Sequence, residues 1–555
     1  MTSGNKGVFR FRKITKAEVE KQILAVGNKE SFGNDEISYG YLRKMSFWIS
    51  GEMTAIMNLS LELGKYPKIW KIARVKPLYK GEGCDRHDPK SYRPVALLSA
   101  MSRIMEAILA RQLDEYQEEN NLIHPGVHGY RKSRGTNTAM LEVWEYVLSK
   151  TEKGELVALD FLDCSAGFDS MVHLYILRKM EVHFGMDEAS LKWLGSYLEG
   201  WIQYTVVEAS NSTPRKMRNG VPQGGGLSPI LWRSGTNDIP EAGLRMQRWR
   251  RQGEVQEAGM HAHIEPGGHE ERIGVEGAAQ NLVGAISQRV DSILEEDLTS
   301  EERLDKELRR SGKWKLEIWR KERTGGTEED SLKYRKVEDE RDVVTTIYAD
   351  DTQSRASART LKELEKRNGE GVTRVCRALK AMRLKVNESK TTYMIMATQG
   401  IRTRENLMNK VSTIDVCGQK VKNVHVGKAL GLLISDDLTW KDQTEKVVSN
   451  CQEKMRGLWK ITSLMRKDQR KLKAEAIILP RLSYSLEITS TGRKYDMERL
   501  QAIQSSAARC VNQTRKKDWR LKSGLKKLGW LSICQKAAYM SILMAMKVLK
   551  NEKPK

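Results

Sequence analysis

The 555-residue sequence predicts a protein of the α+β class, and three observations lead to that class. Apolar residues recur at helical spacing near both ends of the chain, over 14–66 and beyond 441. Between these segments, short apolar runs bounded by turn residues predict strands. The seven cysteines are scattered and never form a C-x2-C pair, which argues against a disulfide scaffold or a zinc finger and favours a reducing, intracellular compartment such as the nucleus.

The chain is strongly basic, with 95 Lys and Arg against 72 Asp and Glu and a net charge of +23. Basic side chains spread along the chain favour a polyanionic partner, because they release counterions when they neutralise phosphates. Charge alone also suits ribosomal, histone-like or membrane-surface proteins. No apolar stretch approaches the roughly 20 residues of a spanning helix, and residues 1–13 lack the apolar core of a secretory signal, so we expect no membrane partner.

The first part of the chain combines helices with a hairpin. Apolar spacing predicts helices over 16–26 and 41–63. From 70 to 79 the apolar residues alternate with basic ones, and together with 91–98 this pattern predicts a strand and hairpin. Helical spacing resumes over 99–120.

A buried strand is predicted over 155–163, a mostly apolar run that ends in an acid. Helices over 171–182 and 189–199 and a short strand over 203–208 follow. The Gly- and Pro-rich stretch 219–229 predicts a loop, and a helix begins at its end.

Residues 241–342 differ from the rest because Arg, Glu, Gly and Lys dominate them. This composition predicts a solvated, charged insertion, partly helical over 285–320. Its His261, His263 and His269 are spaced irregularly and without cysteine, so we interpret them as solvated loop residues and not as a metal site. Later, 343–348 and 391–396 predict strands, 360–383 a helix and 414–434 a hairpin, and basic helical segments follow from 441.

Two adjacent acids, Asp350 and Asp351, follow the predicted strand 343–348. Such a pair in a tight turn concentrates negative charge where desolvation is costly, which favours a bound divalent cation. Asp163 ends the earlier strand, and if the two strands are neighbours, Asp163 and Asp350 face each other and hold two ions about 3.5 to 4 Å apart. An all-Asp cluster favours Mg2+, with Mn2+ as a second candidate. The alternative is an ordinary acidic hairpin turn.

The loop 219–229 places four glycines around Gln223. Glycines allow a backbone to approach a substrate closely, and a Gln amide both donates and accepts hydrogen bonds at a base edge or ribose. The alternative is a flexible connector.

Six motifs occur in a fixed order along this chain: Ser91-Tyr92-Arg93-Pro94, His128-Gly129-Tyr130-Arg131-Lys132, Asp163-Cys164-Ser165-Ala166-Gly167-Phe168-Asp169, Gly220-Val221-Pro222-Gln223-Gly224, Tyr348-Ala349-Asp350-Asp351 and Asn387-Glu388-Ser389-Lys390-Thr391. In these motifs the sequence strongly resembles the reverse transcriptases of non-LTR retrotransposons, especially jockey-like lineages. The resemblance implies a right-hand polymerase with an antiparallel palm sheet and a mostly helical thumb. It also implies an RNA template, a DNA primer and dNTPs as partners.

The resemblance assigns roles to individual residues. It implies that Asp163, Asp350 and Asp351 are the catalytic acids and metal ligands. Phe168 corresponds to the position whose ring excludes a 2'-hydroxyl, although a plain core Phe is the alternative. The resemblance implies that Gln223 and Gly224 touch the incoming nucleotide or the template base. Gly167 stands where the family more often has Ala.

Four basic residues complete the implied dNTP-binding set. The resemblance implies that Arg93, Arg131 and Lys132 hold the triphosphate, and for each of them a solvated surface charge is the alternative. It implies that Lys390 donates a proton to the leaving pyrophosphate. The segment 429–433 looks like the hairpin that grips the primer.

The motifs divide the chain into five expected regions: an N-terminal helical extension (1–69), fingers and first part of the palm (70–240), a charged and partly disordered insertion (241–342), second part of the palm with the primer grip (343–440), and a helical thumb with a C-terminal extension (441–555). No endonuclease-like stretch is recognisable, so we expect that domain elsewhere in the element. The alternatives are a degenerate or domesticated element protein that binds nucleic acid without polymerase activity, and an intron-encoded maturase.

Overall fold

The structure, a computed structural model, describes residues 8–27, 30–81, 84–165, 167–242, 343–387, 390–405, 407, 413–416 and 419–551. Within these ranges the helices are α1 (Lys16–Ala25), α2 (Tyr39–Lys44), α3 (Ser46–Leu63), α4 (Ala100–Glu119), α5 (Thr136–Glu152), α6 (Gly167–Ser170), α7 (His173–Val182), α8 (Glu188–Leu198), α9 (Ser228–Thr236), α10 (Leu361–Ala381), α11 (Gln399–Arg404), α12 (Lys441–Ile461), α13 (Lys467–Ile477), α14 (Leu479–Ser483), α15 (Leu486–Thr489), α16 (Lys494–Asn512), α17 (Leu521–Lys526) and α18 (Ile533–Asn551).

The strands in these ranges are β1 (Ile72–Tyr79), β2 (Tyr92–Leu97), β3 (Leu156–Ser165), β4 (Ile202–Val207), β5 (Ser210–Asn211), β6 (Arg215–Lys216), β7 (Val344–Tyr348), β8 (Asp351–Ala358), β9 (Lys385–Val386), β10 (Thr392–Met396), β11 (Thr413–Val416), β12 (Gln419–Lys422), β13 (Val426–Ala429) and β14 (Leu432–Ser435). The class is therefore mixed helix and sheet, as the sequence predicted.

The strands form two larger sheets and two separate hairpins. The first sheet has the order β2-β1-β4-β5, with β6 beside β4, and contains an antiparallel β1–β2 pair and a parallel β1–β4 pair. The second sheet has the order β10-β3-β8-β7, is antiparallel at each of these junctions, and adds β9 at the end of β3. The strands β11–β12 and β13–β14 form the hairpins.

The second sheet is covered on both faces, which explains why β3 reads as a nearly continuous apolar run. Leu156, Ala158 and Leu162 belong to the core that contains the buried residues of α10. Val157 and Leu159 point the other way, into the core shared with α5. This alternation is the period of two expected of a strand, and both sets are apolar because both faces are buried.

The helices of the C-terminal region have a core of their own, which includes Met455, Ile478 and Ala507. They contact α5 and the hairpin β13–β14, and β13 in turn contacts β3 and β10 of the second sheet. The rings of Trp144 and Trp440 lie 4.6 Å apart, and the Tyr484 hydroxyl donates to the carbonyl of Leu430 over 2.5 Å. The hairpin β13–β14 is therefore held between the sheet and the C-terminal helices.

Most predicted elements are confirmed with ends shifted by one to three residues, and the differences have local causes. The helix predicted over 41–63 is two helices that meet at Met45. The hairpin predicted over 414–434 is two hairpins, β11–β12 and β13–β14. α5 and β8 were not predicted from the sequence. The insertion predicted over 241–342 lies outside the described residues from 243 onward.

None of the helices in the described ranges is long and apolar enough to cross a membrane. The described cysteines at 84, 164, 376, 451, 510 and 534 are all free thiols.

Asp160, three residues before Asp163 on β3, is fully enclosed between the sheet and α10. Asn368 Nδ2 donates to its Oδ1 over 2.8 Å, whereas Asp160 Oδ2 and Asn368 Oδ1 have no hydrogen-bond partner. Burial raises the pKa of Asp160 to about 8, and the Asn368 hydrogen bond opposes that rise. A proton on Oδ2 would satisfy both unpartnered oxygens, so the pair matches a neutral acid facing an amide.

We expect Asp160→Asn to stabilise the protein at alkaline pH. The folded pKa of about 8 lies above the unfolded value, so the contribution of Asp160 to stability is fully present at low pH and is lost as the pH rises towards 8. Asn keeps the shape and the reciprocal hydrogen bonds without titrating. The free energy of unfolding, measured by urea denaturation, should exceed that of the wild type by a few kcal/mol at pH 8.5 and match it near pH 4. Parallel wild-type and variant pH profiles would contradict the neutral-acid interpretation.

Candidate active site

The acidic turn closes the hairpin of β7 and β8, where Tyr348 pairs with Asp351 and Ala349 and Asp350 form the bend. Ala349 has a left-handed backbone, with φ of 55°. Its backbone is tightly covered, because a Cβ placed on Gly129 would lie 2.4 Å from the Ala349 nitrogen. Val127 forms a parallel bridge with Ile347, and the His128 N–H donates to the Ile347 carbonyl over 2.8 Å. The motif around 128–129 therefore supports the turn from below.

The strand pairing brings the two acidic segments together. In the antiparallel register of β3 and β8, Asp163 lies directly opposite Asp351. Asp350 immediately precedes Asp351, in the turn. Directly opposed residues in an antiparallel pair carry their side chains on one face of the sheet. Asp163 and Asp351 are half-buried and Asp350 is exposed. The neighbouring-strand arrangement expected from the sequence is therefore present, with Asp351 and not Asp350 in the facing position.

The three acids concentrate negative charge at this edge. Burial, together with the charges of Asp350 and Asp163, raises the pKa of Asp351 to about 6. Burial and the same three carboxylates raise the pKa of the Cys164 thiol to about 12. The cations nearby are Lys428, whose charge acts on Asp351, and Lys390, whose Nζ lies 3.4 Å from Asp163 Oδ2.

This donor set fits a hard divalent cation, because carboxylate oxygens crowded against one another are relieved by positive charge. In the described part of the chain, no group of three or more His, Cys, Asp or Glu side chains is gathered as a complete metal site. The fit is therefore with a cation that takes its remaining ligands from water and substrate phosphates, which is the usual behaviour of Mg2+.

The glutamine loop lies against β2 and beside Phe168. The Ala96 N–H donates to the Gln223 carbonyl over 2.8 Å, and the Val221 N–H donates to the Phe168 carbonyl over 2.9 Å. Gly224 has φ of 140°, and a Cβ there would lie 2.3 Å from the Ala96 carbonyl oxygen. The loop is thus fixed by backbone contacts and is not a flexible connector.

The far end of this loop is held by a buried carboxylate. Glu106 Oε2 accepts from the N–H groups of Gly226 over 2.7 Å and Leu227 over 3.3 Å, and from the Tyr197 hydroxyl over 3.1 Å. Glu106 Oε1 accepts from Ser102 over 2.8 Å and from the Tyr66 hydroxyl over 3.1 Å. Burial raises the pKa of Glu106, and these hydrogen bonds oppose the rise.

The part of the chain that contains the β3 acid and the glutamine loop is similar to known proteins. Residues 80–246 match the family described as reverse transcriptase (RNA-dependent DNA polymerase). This segment is similar to reverse transcriptase domains. It contains the β3 acid and the glutamine loop, whereas the acidic turn at 348–351 lies beyond the matched residues.

The similar curated proteins come from non-LTR retrotransposons. The probable RNA-directed DNA polymerase from transposon BS of Drosophila melanogaster is 29% identical over 230 residues, which are 41% of this chain and 25% of that protein. The RNA-directed DNA polymerase from mobile element jockey of the same organism is 28% identical over 227 residues, 41% and 24% of the two chains. The Pol polyprotein of retrotransposable element R2 from Popillia japonica is 29% identical over 184 residues, 33% and 25%.

The chain spans about a quarter of the length of these relatives. Among solved structures, the apo telomerase from Candida Tropicalis truncated from its C-terminal domain is 10% identical, with a TM-score of 0.33, over 72% of this chain and 60% of that one. A score this low carries no argument about the fold.

The basic residues implied in triphosphate binding differ in their surroundings. Arg93 on β2 and Lys132 are exposed, and Lys390 reaches Asp163. The structure does not bring Arg131 to the acids, because its guanidinium donates to both Glu118 carboxylate oxygens, over 2.8 and 2.6 Å, and its side chain is only 10% exposed. A guanidinium held in a bidentate, nearly buried pair stabilises the packing of its own segment against α4.

Sequence reasoning missed the buried polar network behind the acidic turn. His128 Nε2 lies 2.7 Å from Glu142 Oε2, and Arg355 donates to Glu142 Oε1 over 3.0 Å. Burial lowers the pKa of His128, and Glu142 opposes that change. The network ties α5 to β8 and to the segment before Gly129. The available signal was Arg355, the one basic residue of β8, since buried charges require partners.

The resemblance implies nucleotide contacts for this loop, so we expect Gly224→Ala to impair dNTP use. The added methyl group cannot share space with the Ala96 carbonyl, and φ of 140° is strained for any residue with a Cβ, so the loop must move. Displacing Gln223 should lower kcat/KM for dNTPs by about 10²-fold, since misplacements near 1 Å have costs of that size. Steady-state primer extension measures this effect. Gly51→Ala on α3, where a Cβ meets nothing within 4 Å, is the control and should leave extension unchanged. Equal values for both variants would contradict a fixed loop.

Proposed function

We propose that this chain is an RNA-directed DNA polymerase of a non-LTR retrotransposon, which copies an RNA template into cDNA by extending a primer with dNTPs. The observation that carries the proposal is the register of β3 against β8, which sets Asp163 opposite Asp351 and next to Asp350. The match of 80–246 to reverse transcriptases and the names of the similar proteins support it. The net charge of +23 suits a template and primer that are polyanions.

In this proposal Asp163, Asp350 and Asp351 hold Mg2+ through carboxylate oxygens. When bound, Mg2+ lowers the pKa of the primer 3'-hydroxyl and neutralises charge on the phosphates. The 3'-hydroxyl loses its proton to solvent and its oxygen forms a bond to the α-phosphorus of the dNTP. The bond from that phosphorus to the oxygen bridging to the β-phosphorus breaks, and pyrophosphate leaves. Lys390, whose side chain is 65% exposed beside Asp163, gives the departing oxygen a proton.

The remaining proposed roles concern the nucleotide. Gln223 and Gly224 touch the incoming nucleotide or the template base, since their loop is fixed against β2. Phe168 borders the sugar C2' and excludes a 2'-hydroxyl. The exposed Arg93 and Lys132 attract the triphosphate.

The regional assignment is also a proposal. Residues 70–240 form the fingers and the first part of the palm, 343–440 the second part of the palm with β13–β14 as the primer grip, and 441–555 a helical thumb with its extension. Residues 1–69 are assigned as a helical extension, in which α1 contacts α4 and α3 contacts α8.

The test is primer extension on a defined RNA template by the purified chain, with dNTPs and Mg2+ or Mn2+. We expect extension that requires the template and the metal ion and stops on addition of EDTA, while binding of the same RNA persists in EDTA because it depends on distributed basic charge. RNA binding without extension in either metal would overturn the proposal and leave the domesticated, binding-only alternative.

A further inference from the structure

Trp232 on α9 contacts two parts of the acidic site that are distant in sequence. Its Nε1 donates to the carbonyl of Ala349, in the acidic turn, over 2.9 Å. Its ring stacks on Phe168, with ring centroids 5.2 Å apart and an angle of 26° between the planes. The side chain is 2% exposed, so both contacts are sheltered from water.

We propose that Trp232 is a positioning residue that sets sugar selectivity by fixing the Phe168 ring relative to the acidic turn. The proposal rests on the proposed function, in which Phe168 excludes a 2'-hydroxyl. It goes further by naming the group that orients Phe168.

A second observation explains the glycine at 167, where the resemblance leads us to expect Ala. A Cβ on Gly167 would lie 2.4 Å from Cη2, 2.8 Å from Cζ3 and 3.1 Å from Cζ2 of Trp232. All three atoms belong to the benzo half of the indole. Gly167 and Trp232 are therefore a matched pair, in which the missing methyl group makes room for the larger ring.

The Phe168 ring is also limited on its other sides. Tyr130 meets it edge to face, with centroids 6.0 Å apart, and the Val221 N–H holds the Phe168 carbonyl. The next residue of α9, Arg233, donates to the Tyr130 carbonyl over 3.0 Å and to Asp114 over 2.6 Å. One turn of α9 thus supplies the ring that stacks on Phe168 and holds the backbone of Tyr130.

A tryptophan that merely fills the core would affect stability and nothing else. A positioning role predicts a change in the ratio of dNTP to rNTP incorporation, because a loosened Phe168 ring admits the 2'-hydroxyl. Aromatic pairs contribute about 0.5–1.5 kcal/mol beyond burial, so losing this one should reduce discrimination by about tenfold.

The test measures kcat/KM for dNTPs and rNTPs, and the thermal unfolding midpoint, in the full chain. Trp232→Phe lacks the benzo half and the donor to Ala349, and we expect about tenfold weaker discrimination against rNTPs. Combining it with Gly167→Ala refills the vacated space, so the double variant should recover stability while its discrimination stays below that of the wild type. The double variant also covers the case in which Trp232→Phe does not fold.

Trp193→Phe is the matched control, since Trp193 is also fully buried and donates one hydrogen bond, to Ser60 over 2.9 Å. It should lose stability and keep the wild-type discrimination. An active wild type with unchanged discrimination in the folded Trp232 variants would overturn this inference and leave the proposed function intact. A wild type that fails to extend any primer would overturn both.

Discussion

Asp350→Asn should reduce metal-dependent primer extension by at least about 10³-fold, equivalent to about 4 kcal/mol of transition-state stabilisation. The substitution keeps the size of the side chain and removes one of the charges that would hold Mg2+. Asp350 is exposed in the turn, so the fold should survive. Initial rates of dNTP incorporation on an RNA template measure the effect, and a filter-binding or fluorescence titration measures RNA affinity, which should stay within about twofold because phosphate contacts come from the basic side chains.

Two further variants define this result. Asp163→Asn should fall to a similar level, because Asp163 lies opposite Asp351 on the neighbouring strand. Glu52→Gln, an exposed carboxylate on α3, has the same chemical change away from the acids and should behave as the wild type. If Asp350→Asn and the wild type incorporate dNTPs equally, the acids do not hold the reaction's metal ion and the polymerase proposal fails.

The acidic edge could be predicted from the sequence because its signals are local. The apolar run of β3 reaches Asp163, two residues before the strand ends, and the run before the acidic turn has the β-branched residues of a strand. The pairing of the two strands had to be assumed, since residues almost two hundred positions apart carry no local signal of contact. The register then differs by one residue from the expectation, with Asp351 facing Asp163.

The supports of the site could not be predicted in the same way. Glu106 occurs in an ordinary amphipathic helix pattern, and its burial results from distant partners such as Tyr66 and Tyr197. The paired environment of Arg131 is likewise set by a helix, α4, that the motif does not mention. Residue-by-residue resemblance therefore does not distinguish an exposed cation such as Arg93 from a nearly buried one such as Arg131.

Glu106→Ala should lower the free energy of unfolding by about 3 kcal/mol or more, because several donors lose their acceptor at once. The carboxylate accepts from three hydroxyls, those of Tyr66, Tyr197 and Ser102, and from two backbone N–H groups. Each donor left without an acceptor costs about 1–3 kcal/mol. Chemical denaturation at pH 7 measures the loss, with Glu115→Ala, an exposed acid on the same helix, expected to change stability little.

Glu106→Gln separates the loop from the core. The amide keeps the volume and one acceptor oxygen, which accepts more weakly than a carboxylate oxygen, while its NH2 group can donate to the hydroxyl oxygens of Ser102 and Tyr66. The variant should therefore fold, with a smaller stability loss than Glu106→Ala. Because Gly226 and Leu227 anchor the end of the loop that carries Gln223, KM for dNTPs should rise more than affinity for RNA falls. A Gln variant with wild-type KM would mean that the loop keeps its position without the carboxylate, and that Glu106 serves the helical core alone.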